Sequence, residues 1–265
     1  MPIARLDSRA VITVIGPDAR PFLNNLLTQE VETIKAGELR LGALLTPQGR
    51  LMVDVMIWGR EDGVWLDVPA SARDGLIQRL SMYKLRAQVE VAASDAGVFT
   101  AWDETPEGFI PDPRLEGLGA RAIGFEGEAT ASEDDWHAHR MGLGVVEAAL
   151  DTVADKTYPI EANFDLMNGI DFQKGCFVGQ ETTSRMKRRG TIKNRTLPFT
   201  YEGEAPAVGA EVLNGERRAG EVTSATKGLG MALMRLDRME GELTADGRVI
   251  LVSRPDWVPA LSAVD

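Results

Sequence analysis

The chain is poor in thiols and imidazoles, with one cysteine and two histidines in 265 residues. A single cysteine excludes an intramolecular disulfide and every CxxC-type zinc or redox site. It also excludes an iron–sulfur cluster held through this chain's cysteines alone, because such clusters take about four protein ligands. His137 and His139 stand two apart in a stretch patterned as a helix. That spacing puts them on different faces, and no further His or Cys completes a metal site, so no metal centre is expected within the chain. Long apolar runs are missing too: none approaches the ~20 residues that a bilayer span requires. The apolar stretch Ala10 to Gly16 runs into Pro17-Asp18-Ala19-Arg20 instead of a small-residue cleavage site, which reads as a strand and a turn and predicts a cytoplasmic protein with no membrane contact. Positive charge is outnumbered, 29 Lys and Arg against 40 Asp and Glu, for a net charge of −11. That balance argues against whole-surface binding to nucleic acid, which depends on many Lys and Arg contacts.

Against this background one segment reverses the sign. Between Asp171 and Arg195 the basic residues are Lys174, Arg185, Lys187, Arg188, Arg189, Lys193 and Arg195, and the acidic ones Asp171 and Glu181, so the segment is +5 and the remainder −16. Charge separated this sharply marks a place for an anion. The same segment holds the lone cysteine, in Lys174-Gly-Cys176-Phe-Val-Gly-Gln-Glu181. A free cysteine is often a buried small hydrophobe. Here the surrounding cations favour a reactive or metal-donating thiolate, and Gly175 and Gly179 suggest a tight turn or close approach to a ligand. A protease-type nucleophile would need a positioned base, which two helix-borne histidines do not supply. The run from Arg185 to Arg195 reads either as a solvated loop or helix end, or as a docking patch for a polyanion: a polyglutamate tail, a phosphate or RNA.

The remaining pattern is α+β. Strands are expected at Arg9–Ile15, Leu39–Leu45, 50–58, 64–68, 89–92, 98–102 and 121–125, and helices from Asp18, over 71–82 and over 132–143, the last with Ser132 as N-cap. After Arg195 short β runs separated by Gly-containing turns predict a small barrel. The expected division is therefore 1–194 and 195–265, with the boundary between Thr191 and Leu197. Asp54 interrupts an apolar strand and Glu161 sits in Tyr158-Pro-Ile-Glu-Ala-Asn-Phe164. Each is either an outward-facing position or a carboxylate turned into a cleft, where desolvation would perturb it. There it could meet the amino-pyrimidine edge of a pterin through an N–H donor couple.

Lys174-Gly-Cys-Phe-Val-Gly-Gln-Glu181, followed by Arg185 and Arg189-Gly190, resembles the K-G-C-[FY]-x-G-Q-E-x-x-x-R signature of the YgfZ family. These are folate-binding, T-protein-like proteins tied to iron–sulfur cluster assembly and repair. Leu45-Thr-Pro-Gln-Gly-Arg50, Leu27-Thr28, Tyr83-Lys-Leu-Arg86, Asp112-Pro-Arg114 and Gly220-Glu-Val-Thr-Ser224 agree with it, so the resemblance covers nearly the whole chain. It implies the aminomethyltransferase architecture: two interwoven α+β domains around a folate cleft, plus a C-terminal β-barrel. It implies tetrahydrofolate, or a folate derivative, as ligand, and iron–sulfur client or assembly proteins, tRNA-modifying enzymes among them, as partners. It implies Cys176 as the working residue, Glu161 as the carboxylate offered to the pterin, and Asp54, Lys174, Gly175, Gly179, Gln180, Glu181 and Arg185 as further contacts. T-proteins carry paired acids near the Asp54 position, where this chain has Val53, and their corresponding segment lacks the cysteine. An accessory factor is therefore expected rather than an enzyme, with a folate-dependent one-carbon transferase or demethylase as the alternative.

Overall fold

The computed structural model describes residues 1–190 and 192–259. Thr191, in the segment expected to hold the domain boundary, and residues 260–265 at the expected end of the barrel lie outside the described residues.

The chain begins by crossing between two sheets. β1 (Ile3–Arg5) pairs with β7 (Val98–Ala101) in a four-stranded sheet ordered β1-β7-β9-β8, where β8 is Ile110–Pro111 and β9 is Ala120–Ile123. β2 (Arg9–Ile15), four residues later, lies inside a five-stranded sheet ordered β3-β4-β5-β2-β6. Its other members are β3 (Leu39–Leu45), β4 (Leu51–Arg60), β5 (Gly63–Pro69) and β6 (Glu90–Ser94). This exchange of strands is the interweaving that the resemblance implied.

Period-two alternation gives the five-stranded sheet two buried faces. Ile12, Val14, Leu44, Val55, Ile57, Val64 and Leu66 face α1 (Ala19–Asn24) and α2 (Arg73–Tyr83), meeting Leu23, Leu27, Leu76 and Leu80. Val11, Leu41, Ala43, Met56 and Trp58 face the molecular centre with Trp102, Trp136, Phe164 and Phe177. α3 (Glu133–Gly142) closes this centre. It starts at Ser132 in a capping box with Asp135, which satisfies two otherwise unpaired backbone donors. His139 is stacked 5.4 Å from Trp102, and its Nε2 is 3.0 Å from the Leu118 carbonyl. His137 Nδ1 accepts from Arg140. Both histidines thus have structural partners.

After α4 (Ala148–Asp151) and α5 (Gln180–Arg189), the chain closes a barrel in the order β10-β13-β12-β11-β14-β15. Its strands are β10 (Asn194–Tyr201), β11 (Glu211–Asn214), β12 (Arg217–Thr226), β13 (Leu229–Arg235), β14 (Leu243–Ala245) and β15 (Arg248–Val252), around Leu197, Phe199, Val222 and Met234. Among the described residues no helix is long and apolar enough to cross a membrane.

Candidate thiol site and central cleft

The motif segment is pinned at two points, and its thiol stands between them. Asp171 Oδ1 accepts from the Gln173 and Lys174 amides, turning the chain at the start of the loop. Lys174 then buries its ammonium among three carbonyls, Asn24 at 2.6 Å and Leu27 and Gln29 at 2.8 Å. Phe177 sinks into the central core. Gly175 and Cys176, between these anchors, are exposed.

Each glycine has a distinct place. Gly179 adopts a left-handed φ of 80° at the N-cap of α5. A Cβ there would come within 2.6 Å of the Thr46 carbonyl and 2.9 Å of Gly49 Cα. The motif therefore lies flat against the Thr46–Gly49 turn, and any side chain at Gly179 would push them apart. Gly175 has no such neighbour within 4 Å, so the crowding at Gly179, which is with the chain's own Thr46–Gly49 turn, is not shared by Gly175.

Two expectations about charge change. Lys174 was expected to act on the thiol, yet its donors are committed to carbonyls. Burial pulls its pKa down to about 8, against the pull of Glu30 and Asp171. The basic run also divides. Arg195 is buried and bound to Asp165 at 2.5 and 3.0 Å, to the Ile160 carbonyl and to Asn163. Lys187 reaches the same Asp165 at 3.3 Å. Lys187, Arg188 and Arg189 form the last turn of α5, with Glu181 in the first, an order that complements the helix dipole. Arg185 and Lys193 are exposed. Beside this helix lies a groove of about 490 Å³ lined by Phe172, Gln180, Glu181, Ser184, Lys187 and Arg188.

Asp54 belongs to a different place. With Arg9 and Asp67 it lies on the central face of the five-stranded sheet, in a buried network that sequence reasoning missed. Arg9 binds Asp67 at 2.6 Å, Asp54 at 2.7 Å and Glu147 at 2.6 Å. Arg114 binds Asp112 and Glu147, and Arg121 binds Asp67 and Asp112. Arg140 binds Asp151, which also accepts from Ser224 of the barrel at 2.5 Å. Burial alone would raise these carboxyls. Around Asp112 the Arg114 and Arg121 guanidinia more than offset it and bring the pKa down to about 2. Arg9 and Arg114 likewise hold Glu147 well below the carboxylate range. At Asp54 burial wins over Arg9, and its pKa is raised.

Asp54 Oδ1 is buried without a donor among the described residues. It borders a cavity of about 180 Å³ whose other walls include Leu51, Met52, Ser71, Ala148 and Thr152. With Oδ2 taken by Arg9, the one free acceptor matches a single N–H donor of an amino-pyrimidine. The volume is below the ~300–1,000 Å³ of small-molecule sites, too small for a whole extended folate. Glu161 does not line this cavity. Its oxygens accept from the Tyr158 amide and from Asn194 Nδ2, both at 3.0 Å, tying the segment to the barrel. None of Lys174, Gly175, Gly179, Gln180, Glu181 and Arg185 lines it either. The structure thus places the thiol loop apart from the carboxylate cavity, whereas the resemblance implied one set of folate contacts.

Comparison with known proteins agrees with the fold. Residues 193–260 match the C-terminal β-barrel domain of CAF17. The chain is 30% identical to the mitochondrial iron–sulfur cluster assembly factor IBA57 of Mus musculus over 96% of its length and 85% of the relative's. For the Homo sapiens protein of the same name the identity is 30%, with 97% and 85% covered. A Neurospora crassa homologue is also 30% identical, over 79% of this chain and 56% of that longer protein. In structure the chain is similar to the glycine cleavage system aminomethyltransferase T of Bartonella henselae, with a TM-score of 0.74 over 97% of this chain and 86% of the other. At 16% identity that likeness establishes the aminomethyltransferase fold and nothing of its chemistry.

Proposed function

The chain belongs to the IBA57 family of iron–sulfur cluster assembly factors, and from that membership we propose that it serves cluster assembly by lending Cys176 as a single ligand. The observation that carries this is the exposed thiol on a loop fixed from both sides by Lys174 and Phe177. One thiol cannot hold a cluster, so the other ligands come from the protein that delivers or receives it. Cys176 contributes a thiolate, while Lys174, Asp171 and Gly179 hold its loop against the Thr28 and Thr46–Gly49 segments. The clients are iron–sulfur enzymes, tRNA-modifying ones included, and the YgfZ-type motif is the feature that ties the chain to them. Cys176→Ala should lower the activity of [4Fe–4S] enzymes in cells while leaving the melting temperature of the purified protein unchanged. Undiminished cluster-enzyme activity would sink the reading.

The second element is tetrahydrofolate, supported by Asp54 and its cavity. Asp54 would receive the donor edge of the pterin ring, and the network behind it would fix the carboxylate. The folate, when bound, supplies a one-carbon carrier. Replacing one charged partner of a buried hydrogen bond costs about 1.5–3 kcal/mol, so Asp54→Asn should weaken tetrahydrofolate binding by roughly 10–100-fold in a calorimetric titration. Cys176→Ala should leave that affinity unchanged. RNA docking on 185–195 is the weaker option, because Arg195 is buried and Lys187 is paired. The mitochondrial placement belongs to the named relatives. Cytoplasmic location of this chain is part of the proposal, to be checked by fractionation.

A further inference from the structure

A second charge reversal lies far from the thiol in sequence, where α2 ends. Met82, Tyr83 and Leu85 are exposed by 60%, 42% and 88%, and they alternate with cations in Arg79-Leu-Ser-Met-Tyr-Lys84-Leu-Arg86. Arg79 donates to the Tyr83 hydroxyl at 3.4 Å and Lys84 to the Val89 carbonyl at 3.5 Å. Among the described residues Arg79, Lys84 and Arg86 form no ion pair, in a chain of net charge −11. Leu85 also sits one residue past the helix C-cap with a φ of +41°. Glycine is the usual residue there, because a side chain in the left-handed region is strained. The fold thus keeps a strained leucine where nothing of its own covers it.

A complementary hollow lies elsewhere on the same molecule. The loops flanking β7, β8 and β9 enclose a cleft of about 310 Å³ with Pro111 and Leu115 in its wall and Asp103, Glu104 and Glu116 at its rim. All three carboxylates are exposed, and among the described residues none is in an ion pair. An apolar knob ringed by three cations therefore faces, on another copy, a hollow with Pro111 and Leu115 in its wall and three exposed carboxylates at its rim. We propose that the Met82–Arg86 knuckle of one copy docks into the Asp103–Glu116 cleft of a second copy, giving a weak head-to-tail association. Knob and hole are different patches, so the contact is heterologous and each copy retains one free knob or hole. The proposal is independent of the cluster-assembly reading, since it involves neither Cys176 nor Asp54.

Sedimentation velocity of the purified protein over a rising concentration series tests it. At about 0.1 M salt, where screening reaches about 10 Å, the contact pairs act while the net charges of the copies are largely screened. There the weight-average sedimentation coefficient should rise with concentration, and the rise should shrink at about 1 M salt, where the length is about 3 Å. Reversing the knuckle (Arg79→Glu, Lys84→Glu, Arg86→Glu) or the cleft (Asp103→Lys, Glu104→Lys, Glu116→Lys) should each leave a monomer. An equimolar mixture of the two variants should regain association, since the reversed knob fits the reversed hole. Leu85→Gly should abolish association while the melting temperature holds or rises, which separates docking from folding. A wild type that stays monomeric at all concentrations, or a mixture that does not pair, would overturn the proposal; so would anionic-vesicle binding with no self-association.

Discussion

The thiol loop and the central charge network treat cations in opposite ways. In the network four arginines, Arg9, Arg114, Arg121 and Arg140, meet carboxylates drawn from β4, β5, the β8–β9 connection, the α3–α4 segment and α4. At the loop one lysine meets three carbonyls and no carboxylate. A guanidinium can bridge several carboxylates through its rigid fork, and so join distant elements. An ammonium with three donors suits a single cage of backbone oxygens, and so holds one segment in place. The network organises the fold; the lysine organises a loop. The difference predicts that damage to the first is global and damage to the second local.

The largest effect should come from breaking the network at one member. Arg9→Met leaves Asp54, Asp67 and Glu147 buried without their shared cation, and such a loss costs about 3–5 kcal/mol. Denaturant unfolding should show that loss as a shift of midpoint, and a shift below ~1 kcal/mol would mean that water replaces the guanidinium. Next in size is Lys174→Met, which strands three carbonyls at the α1 end and should cost on the order of 2–3 kcal/mol. Its signature is local: protease cleavage between 171 and 179 under native conditions should speed up well before global unfolding. Equal loss of protection across the sheets would erase the distinction between the two regions.

Acid should strike the network and spare the loop. Asp112 has a folded pKa of about 2, lowered against an ordinary value of 3.8. A depressed carboxyl stabilises the fold above the unfolded value, and that contribution fades as pH falls through the folded one. Asp112 alone thus accounts for roughly 2 kcal/mol that should vanish between about pH 4 and pH 2, and Glu147 acts in the same direction. Asp54 opposes them, because its raised pKa favours the folded state on acidification. Asp112→Asn should flatten the acid limb of the stability curve, whereas Lys174→Met should leave its shape intact.

This contrast also explains what could be read beforehand. The motif was legible because its parts are contiguous: Lys174, Cys176, Gly179 and Gln180 fall within seven residues of chain. The strand run of β3, the Ser132 cap and the barrel strands were legible because period and turn chemistry are local properties. The network was not, since Arg9, Asp67, Arg121 and Glu147 lie tens of residues apart and each looks like an ordinary surface charge. Only Asp54 betrayed itself, by interrupting an apolar strand. The helical form of 180–189 stayed one of two readings, loop or helix end, because the segment has no apolar period, and Glu161 stayed open between a surface and a cleft position, because a turn and a barrel seam leave no mark in the local pattern.

The smallest effect on stability should come from Cys176 itself. Its side chain is exposed, and substitutions at such sites fall within about ±0.5 kcal/mol. Cys176→Ser should therefore melt with the wild type and keep the 171–179 loop as resistant to proteases. Serine keeps the size and polarity of the side chain but not the thiolate, so cluster-enzyme activity in cells should fall as far as with Cys176→Ala. If serine restored that activity, the loop would act through shape and hydrogen bonding, and the thiol would lose its place in the proposal. If both variants failed while Lys174→Met retained partial activity, the loop's anchoring would aid the thiol without being indispensable to it.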